Sequence, residues 1–274
     1  MLKYYVADAF AEEVFEGNPA GVCVLDEWLP AQIMSKIAVE NNLSETAFCV
    51  KTDGKTDDSK AAYELRWFTP GGEIDLCGHA TFGTAYILFR FYEQRAEEIH
   101  FETLKAGHHL VVKKKGDILE MDFPAMEFRE FEYADYMTEA LGARPDEVYC
   151  TDRDMLFVYN DAKTVAEMQP DFRKLTEFPH GLSAYVTAIT DDEEFDYVAR
   201  AFWPKININE DPVCGSMYCT LIPFWAERLG KDEQVARQVS PRGGTVHGTY
   251  CGDYVKIAGK GVLYAEGHIL VDEE

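Results

Sequence analysis

Two cysteine–glycine pairs stand 137 residues apart, half the length of the 274-residue chain. The first is Cys77-Gly78, followed by His79, and the second is Cys214-Gly215, followed by Ser216. Each introduces an apolar run with the spacing of a helix. The first turn of a helix has N–H groups without internal partners, and the helix dipole adds partial positive charge. Such an end binds a carboxylate or phosphate without help from Lys or Arg. Gly78 and Gly215 leave the backbone bare at these two starts, and His79, Thr81 and Ser216 add polar groups. A helix start also lowers the pKa of a thiol. Cys77 and Cys214 are therefore expected to be more acidic than free cysteine, although a small buried hydrophobe is the plainer reading of each.

Other candidates stand alone in the sequence. Glu45 begins a strand and, read bare, is a solvated carboxylate. Asp211 precedes Pro212 just ahead of the second apolar helix and, read bare, is a turn residue. His79 has an ordinary pKa close to neutrality, which suits a proton relay. The spacings of Cys77 to His79 and of Cys214 to Cys219 are not those of a zinc motif, so no metal is expected. His108-His109 falls in a strand whose neighbours face opposite ways, and is read as surface.

These groups need a fold to bring them together. The chain carries 49 acidic and 26 basic residues, a net charge of −23. That charge argues against nucleic acid or an anionic membrane as a partner. A hydrophobic share of 47% supports a true core, so an acidic disordered chain is excluded. Seven cysteines without CxxC pairs suggest reduced thiols. No apolar leader opens the sequence and no run approaches a membrane span. The expectation is a cytoplasmic protein.

The periodicity predicts strands at 3–10, 20–25, 45–50 and 63–68, with a turn at Gly17-Asn18-Pro19 and a helix after Pro30 that Asn41-Asn42 can stop. Helices follow at 78–91, through Tyr133 to Leu141 with Gly142 as its cap, at 162–176, and at 215–229. Further strands are expected at 99–104, 108–114, 117–123, 155–159 and 184–190, with hairpin-like runs from 244 to 271. The helices at 78–91 and 215–229 are apolar nearly all round and should be central and buried. Ala80, Gly83 and Thr84 give the first a small face for close packing on a sheet.

An internal repeat organises these elements. Arg66-Trp67-Phe68-Thr69-Pro70 leads to Cys77-Gly78-His79 and an apolar helix. Arg200-Ala201-Phe202-Trp203-Pro204 leads to Cys214-Gly215-Ser216 and another. The expected architecture is α+β, with two pseudo-symmetric lobes, each a mixed β-sheet wrapped around a central helix. The N-terminal lobe spans 1–124, with a C-terminal strand, 262–274, returning to it. The C-terminal lobe spans 125–261.

Four motifs in order resemble the PhzF-like phenazine biosynthesis family, which shares the diaminopimelate epimerase fold. They are Gly17-Asn18-Pro19-Ala20-Gly21, Asn42-Leu43-Ser44-Glu45-Thr46-Ala47-Phe48, Cys77-Gly78-His79-Ala80-Thr81, and Glu210-Asp211-Pro212-Val213-Cys214-Gly215-Ser216. The resemblance implies an isomerase without a cofactor, a homodimer, and a site in the cleft between the lobes. It implies that Glu45 is the acid/base and that His79, Asp211 and Ser216 hold the substrate or tune proton transfer. Asn18, Gly78, Thr81 and Gly215 would then line the substrate, a small anionic metabolite. Enclosure of Glu45 is expected to raise its pKa.

One departure opens an alternative. Cys214 stands where the family commonly has Thr, and with Cys77 it resembles the thiol pair of diaminopimelate epimerase and proline racemase. The glycines of those enzymes are replaced here by Ala80 and Met217. The leading expectation is a Glu45 isomerase. A two-cysteine racemase or epimerase using Cys77 and Cys214, and a non-catalytic small-molecule binding protein, are the alternatives.

Overall fold

The computed structural model describes residues 1–52 and 59–271. Residues 272–274, the end of the expected returning strand, lie outside them. The chain divides into two compact units, Met1–Asp122 with Ala258–Glu274, and Phe123–Ile257.

In the first unit the sheet runs in the order Gly261–Ile269, Leu2–Ala9, Asn18–Leu25, Glu45–Lys51, Lys60–Thr69, Glu98–Thr103, His109–Lys115, Ile118–Pro124. It is mixed. Asn18–Leu25 is parallel to Glu45–Lys51, and Lys60–Thr69 is parallel to Glu98–Thr103. The Gly78–Phe91 helix is buried along most of its length. It packs on the strands Leu2–Ala9 and Asn18–Leu25. Gly83 is the point of close approach: a Cβ there would stand 3.5 Å from Ala20 Cβ and 3.7 Å from Ala7 Cβ.

Two turns place the functional strands. Gly17 has φ +67°, and a Cβ on it would lie 2.2 Å from the Ala9 carbonyl oxygen. Only glycine fits, and the turn delivers Asn18 to the start of its strand. Asn42, in left-handed conformation at φ 50°, ends the Ala31–Asn41 helix and sends the chain into Glu45.

The second unit repeats the pairing pattern. Met155–Tyr159 is parallel to Ala184–Ile189, which is antiparallel to Tyr197–Trp203, which is parallel to Glu233–Gln238, which is antiparallel to Gly244–Tyr250. The first unit has the same alternation from Asn18–Leu25 to His109–Lys115. In each unit a short strand, Gly72–Ile74 or Ile208–Asp211, doubles back before the central helix. The central helix of the second unit is Gly215–Leu229, also buried.

The repeat extends to an ion pair. Arg66 forks onto Glu73, with Nε to Oε1 at 2.7 Å and Nη2 to Oε2 at 2.8 Å. Arg200 forks onto Glu210 in the same way, at 2.7 and 2.9 Å. The guanidiniums lie 5.2 and 5.1 Å from the Phe68 and Phe202 ring centres. Both forks fasten the doubled-back strand, and so set the direction from which the chain reaches Cys77 and Cys214.

Two expectations need correction. The helix at 162–176 is two short helices, Ala162–Glu167 and Phe172–Thr176. Pro170 cannot continue a helix, and Asp171 starts the second by accepting from the Lys174 N–H. The strands Glu147–Cys150 and Glu233–Gln238 were not expected. In the latter the buried positions are Gln234, Ala236 and Gln238, so the alternation is real but two of its three inward residues are polar. All seven cysteines are free. Among the described residues no helix is long and apolar enough to cross a membrane.

Candidate active site

In the first unit, Glu45 and the Cys77–His79 segment come from separate elements. Glu45 opens its strand opposite Ala20. Cys77 is the extended residue at the head of the Gly78–Phe91 helix, and His79 lies in its first turn. The Thr81 hydroxyl donates to the Cys77 carbonyl at 2.7 Å, which holds that turn closed. Thr81 is fully buried. Asn18 is also buried, at the head of its strand.

The result is a compact cluster in which Glu45, Cys77 and His79 bring one donor atom each within 4.8 Å of one another. His79 Nε2 lies 3.0 Å from Glu45 Oε2. The two atoms are not aligned as a regular hydrogen bond, so the attraction is mainly one of charge. His79 Nδ1 lies 3.5 Å from Cys77 Sγ. The imidazole thus turns one nitrogen to the thiol and the other to the carboxylate. This carboxylate, thiol and imidazole form a donor set that a metal could use, which the spacing of Cys77 and His79 did not reveal because Glu45 comes from another strand. A single ion could take only one of the two ring nitrogens, whereas protons serve both contacts.

The charges follow from burial and neighbours. Burial alone would raise the Glu45 pKa, but the His79 charge and the polar contacts of His79, Ser44 and Cys77 outweigh it and hold the carboxyl below its usual 4.5. The expected upward shift is therefore corrected: the lost water is replaced by a cation. Burial alone would strip His79 of its proton, but Cys77 and Glu45 outweigh it and hold the imidazole well above 6.5. Cys77 itself is pushed up, first by burial and then by the Glu45 charge. With the thiol protonated, the lasting counter-charge for His79 is Glu45. These directions favour a carboxylate, an imidazolium and a thiol in the cluster.

The second unit has its own cluster around the start of the Gly215–Leu229 helix. Gly215 faces open space. Asp211 ends the short strand, and its carbonyl accepts from Gln238 Nε2 at 2.7 Å. Gln238 Oε1 accepts from the Cys214 N–H at 3.0 Å, and the Ser240 hydroxyl donates to the Pro212 carbonyl at 2.7 Å. These two side chains fix the path from Asp211 to Cys214. The Ser216 hydroxyl lies 3.1 Å from Arg153 Nη2, 3.4 Å from the Tyr185 hydroxyl and 3.5 Å from Cys214 Sγ. Asp154, 2% exposed, accepts from Arg153 Nε at 2.6 Å and from the Tyr185 hydroxyl at 2.8 Å.

Sequence reasoning missed Arg153, Asp154, Tyr185 and Gln238. None belongs to a motif, and only the strand pairings carry them to the helix start. Arg153 also lies 5.1 Å from the Trp203 ring centre, so the guanidinium is held between a ring, a carboxylate and two hydroxyls. Its side chain remains 44% exposed, an accessible cation beside Ser216 in a strongly acidic protein.

The expected acidity of the cysteines is also corrected. Cys214 is pushed well above its ordinary value, first by burial and then by the Asp211 charge. The helix-start amides of Met217 and Ala80 do act on Cys214 and Cys77 in the acidic direction, but burial is the larger effect in both. Both sulfurs are thiols at neutral pH.

The comparisons with known proteins agree with this architecture. The family profile described as phenazine biosynthesis-like protein, PhzC-PhzF, matches residues 7–267. The chain is 44% identical to an uncharacterized isomerase of Pseudomonas aeruginosa over 267 residues, 97% of this chain and 98% of that protein. A crystal structure of a PhzF-family protein from Enterococcus faecalis superimposes with a TM-score of 0.92 at 46% identity, over 98% of this chain and 99% of that one. A probable proline racemase from Agrobacterium radiobacter shares the fold at a TM-score of 0.58 and 10% identity, over 99% and 94% of the two chains. Fold and relatives together define the class: the protein is an isomerase with a diaminopimelate epimerase-like fold. It belongs to the PhzC/PhzF phenazine biosynthesis-like family.

Proposed function

We propose that the protein is a cofactor-independent isomerase that moves a proton between carbons of a small carboxylate-bearing substrate, with Glu45 as the acid/base. The observation that carries this reading is the 3.0 Å pairing of Glu45 with His79. An ionised carboxylate can accept a proton from carbon, and a neighbouring imidazolium keeps it ionised while unbound. When Glu45 takes the proton, the His79 charge is released from its partner and stabilises negative charge developing on the substrate. Glu45 then returns the proton to a second carbon within its reach.

Helix-start amides of the kind opened by Gly78 and Gly215 hold the substrate carboxylate. Ser216 and Asp211 bind or orient it, and Asn18 lines the site. Thr81 acts through the Cys77 carbonyl it holds. The resemblance supplies the remainder of this reading, a cytoplasmic homodimer acting on a small anionic metabolite.

The racemase alternative needs a thiolate, and both sulfurs are buried thiols with raised pKa values. Met217, fully buried, also replaces a glycine of the racemase pattern. Cys77→Ser and Cys214→Ser are therefore expected to keep catalysed exchange of substrate protons with deuterated solvent to within about tenfold of the parent, or about 1.4 kcal/mol. The measurement is deuterium uptake by mass spectrometry, using a panel of small carboxylates with an acidic C–H. An inactive cysteine variant beside an active Glu45→Gln variant would transfer the chemistry to sulfur.

A further inference from the structure

The solvent face of the first unit's sheet carries a second cluster of titratable groups, unconnected with Glu45. Glu98, His100 and Glu102 alternate along one strand, whose intervening residues Ile99, Phe101 and Thr103 are buried. His109 stands opposite Glu102 on the adjacent strand. Four side chains therefore form one line of contacts. Glu98 Oε2 is 3.1 Å from His100 Nε2, His100 Nδ1 is 3.2 Å from His109 Nε2, and His109 Nδ1 is 2.5 Å from Glu102 Oε1.

Proton counting shows what the line lacks. An ionised carboxylate only accepts, so His100 Nε2 and His109 Nδ1 both carry hydrogens. In neutral rings the two remaining nitrogens then present lone pairs to each other at 3.2 Å. A single cation between them, an added proton or a metal ion, satisfies both lone pairs. A carboxylate on the outer nitrogen of each imidazole is the arrangement that fixes tautomer and raises basicity in metal-bound histidine. An ion about 2.0–2.1 Å from both nitrogens would see them at an angle of about 100°, between octahedral and tetrahedral.

We propose that His100 and His109 form a surface binding site for one divalent transition-metal ion of the imidazole-preferring class. Glu98 and Glu102 orient the two rings, and water completes the coordination. Neutral imidazole ligands select zinc, nickel or copper over magnesium or calcium. The protein's charge of −23 draws cations to its surface. Nearby charges are partly committed: Lys60 lies 3.2 Å from Glu98, and Lys113 lies 3.2 Å from Asp122. The His109 side chain is 51% exposed and has room to swing towards the ion.

Nickel(II) titrated into the full chain at pH 7.5, followed by calorimetry, should bind one equivalent. His100→Asn and His109→Asn should each weaken binding by at least about tenfold, and Glu102→Gln by a smaller factor. His108→Asn, which removes the neighbouring imidazole outside the line of contacts, should leave binding unchanged. The proposal is overturned if the parent binds nickel no better than the His100→Asn/His109→Asn double variant. It is equally overturned if His79→Asn, and neither surface variant, abolishes binding, since the ion would then occupy the buried cluster.

Discussion

Glu45→Gln is expected to lower catalysed proton exchange by about 10²–10⁴-fold, the usual contribution of a positioned acid/base. Gln keeps the size of the side chain and removes the group that titrates. The substitution also deprives His79 of its counter-charge, so the imidazole loses its proton, and with it the charge that stabilises the developing anion. Two functions fail together, which places the loss towards the larger figure. Binding of the carboxylate should survive, because helix-start amides hold it in this account. Deuterium uptake and ligand affinity measured on the same variant separate these effects. Exchange at the parent rate in Glu45→Gln would remove Glu45 from the mechanism.

The largest effect on stability is expected at Arg200. Its side chain is only 6% exposed. Besides the fork onto Glu210, Nη1 donates to the carbonyls of Val165 and Met168 at 3.2 and 2.7 Å, closing the end of the Ala162–Glu167 helix. Arg200→Met leaves a largely buried carboxylate and the Met168 carbonyl without this donor, whereas the Val165 carbonyl keeps the Met168 N–H, at a cost of about 3–5 kcal/mol. In a unit of this size that lowers Tm by on the order of 10 °C. Arg66→Met should cost less, because Arg66 and Glu73 keep 17% and 21% side-chain exposure and water can reach both. Adding Glu210→Met to Arg200→Met should recover part of the loss, by removing the orphaned charge without restoring a donor to the Met168 carbonyl. Thermal melting of the four proteins decides the order. Equal losses at Arg66 and Arg200 would contradict it.

The two arginines also show what the sequence disclosed. The repeated Arg-x-Phe segment, the Cys-Gly pairs and the two apolar helices were readable, because each is a local pattern set by side-chain type and period. The glutamates that receive the forks were not readable. Glu73 lies 7 residues beyond Arg66 and Glu210 lies 10 beyond Arg200, and only the doubled-back strand brings them together. Glu233–Gln238 was invisible for a different reason, since glutamines occupy two of its inward positions.

The candidate site divides in the same way. Glu45 and His79 stood out in motifs, but the sign of the Glu45 shift depended on a contact across two elements. Burial favours the neutral acid, and a cation 3.0 Å away favours the ion; the second wins only at that distance. The cysteine shifts were misjudged in the opposite direction, because a helix start was weighed without the burial that accompanies it. Arg153 and Asp154, adjacent in sequence, had no motif to mark them. Their meaning comes from Tyr185 and Ser216, 31 to 63 residues away.

The Glu45–His79 pair also links protonation to folding. The raised His79 pKa contributes stability that is fully present below the unfolded value near 6.5 and is lost as pH rises through the folded value. The lowered Glu45 pKa contributes stability present above about 4.5 and lost as pH falls through its folded value. The pair is therefore strongest between those limits, with both partners charged.

The most direct test is the protonation of His79, followed by NMR of its imidazole nitrogens as pH is raised from 5 to 9. The account requires an imidazolium at pH 7 with a midpoint well above 6.5, and a fall in that midpoint in Glu45→Gln. A neutral His79 at pH 7 in the parent, or a midpoint that Glu45→Gln leaves unmoved, would contradict it.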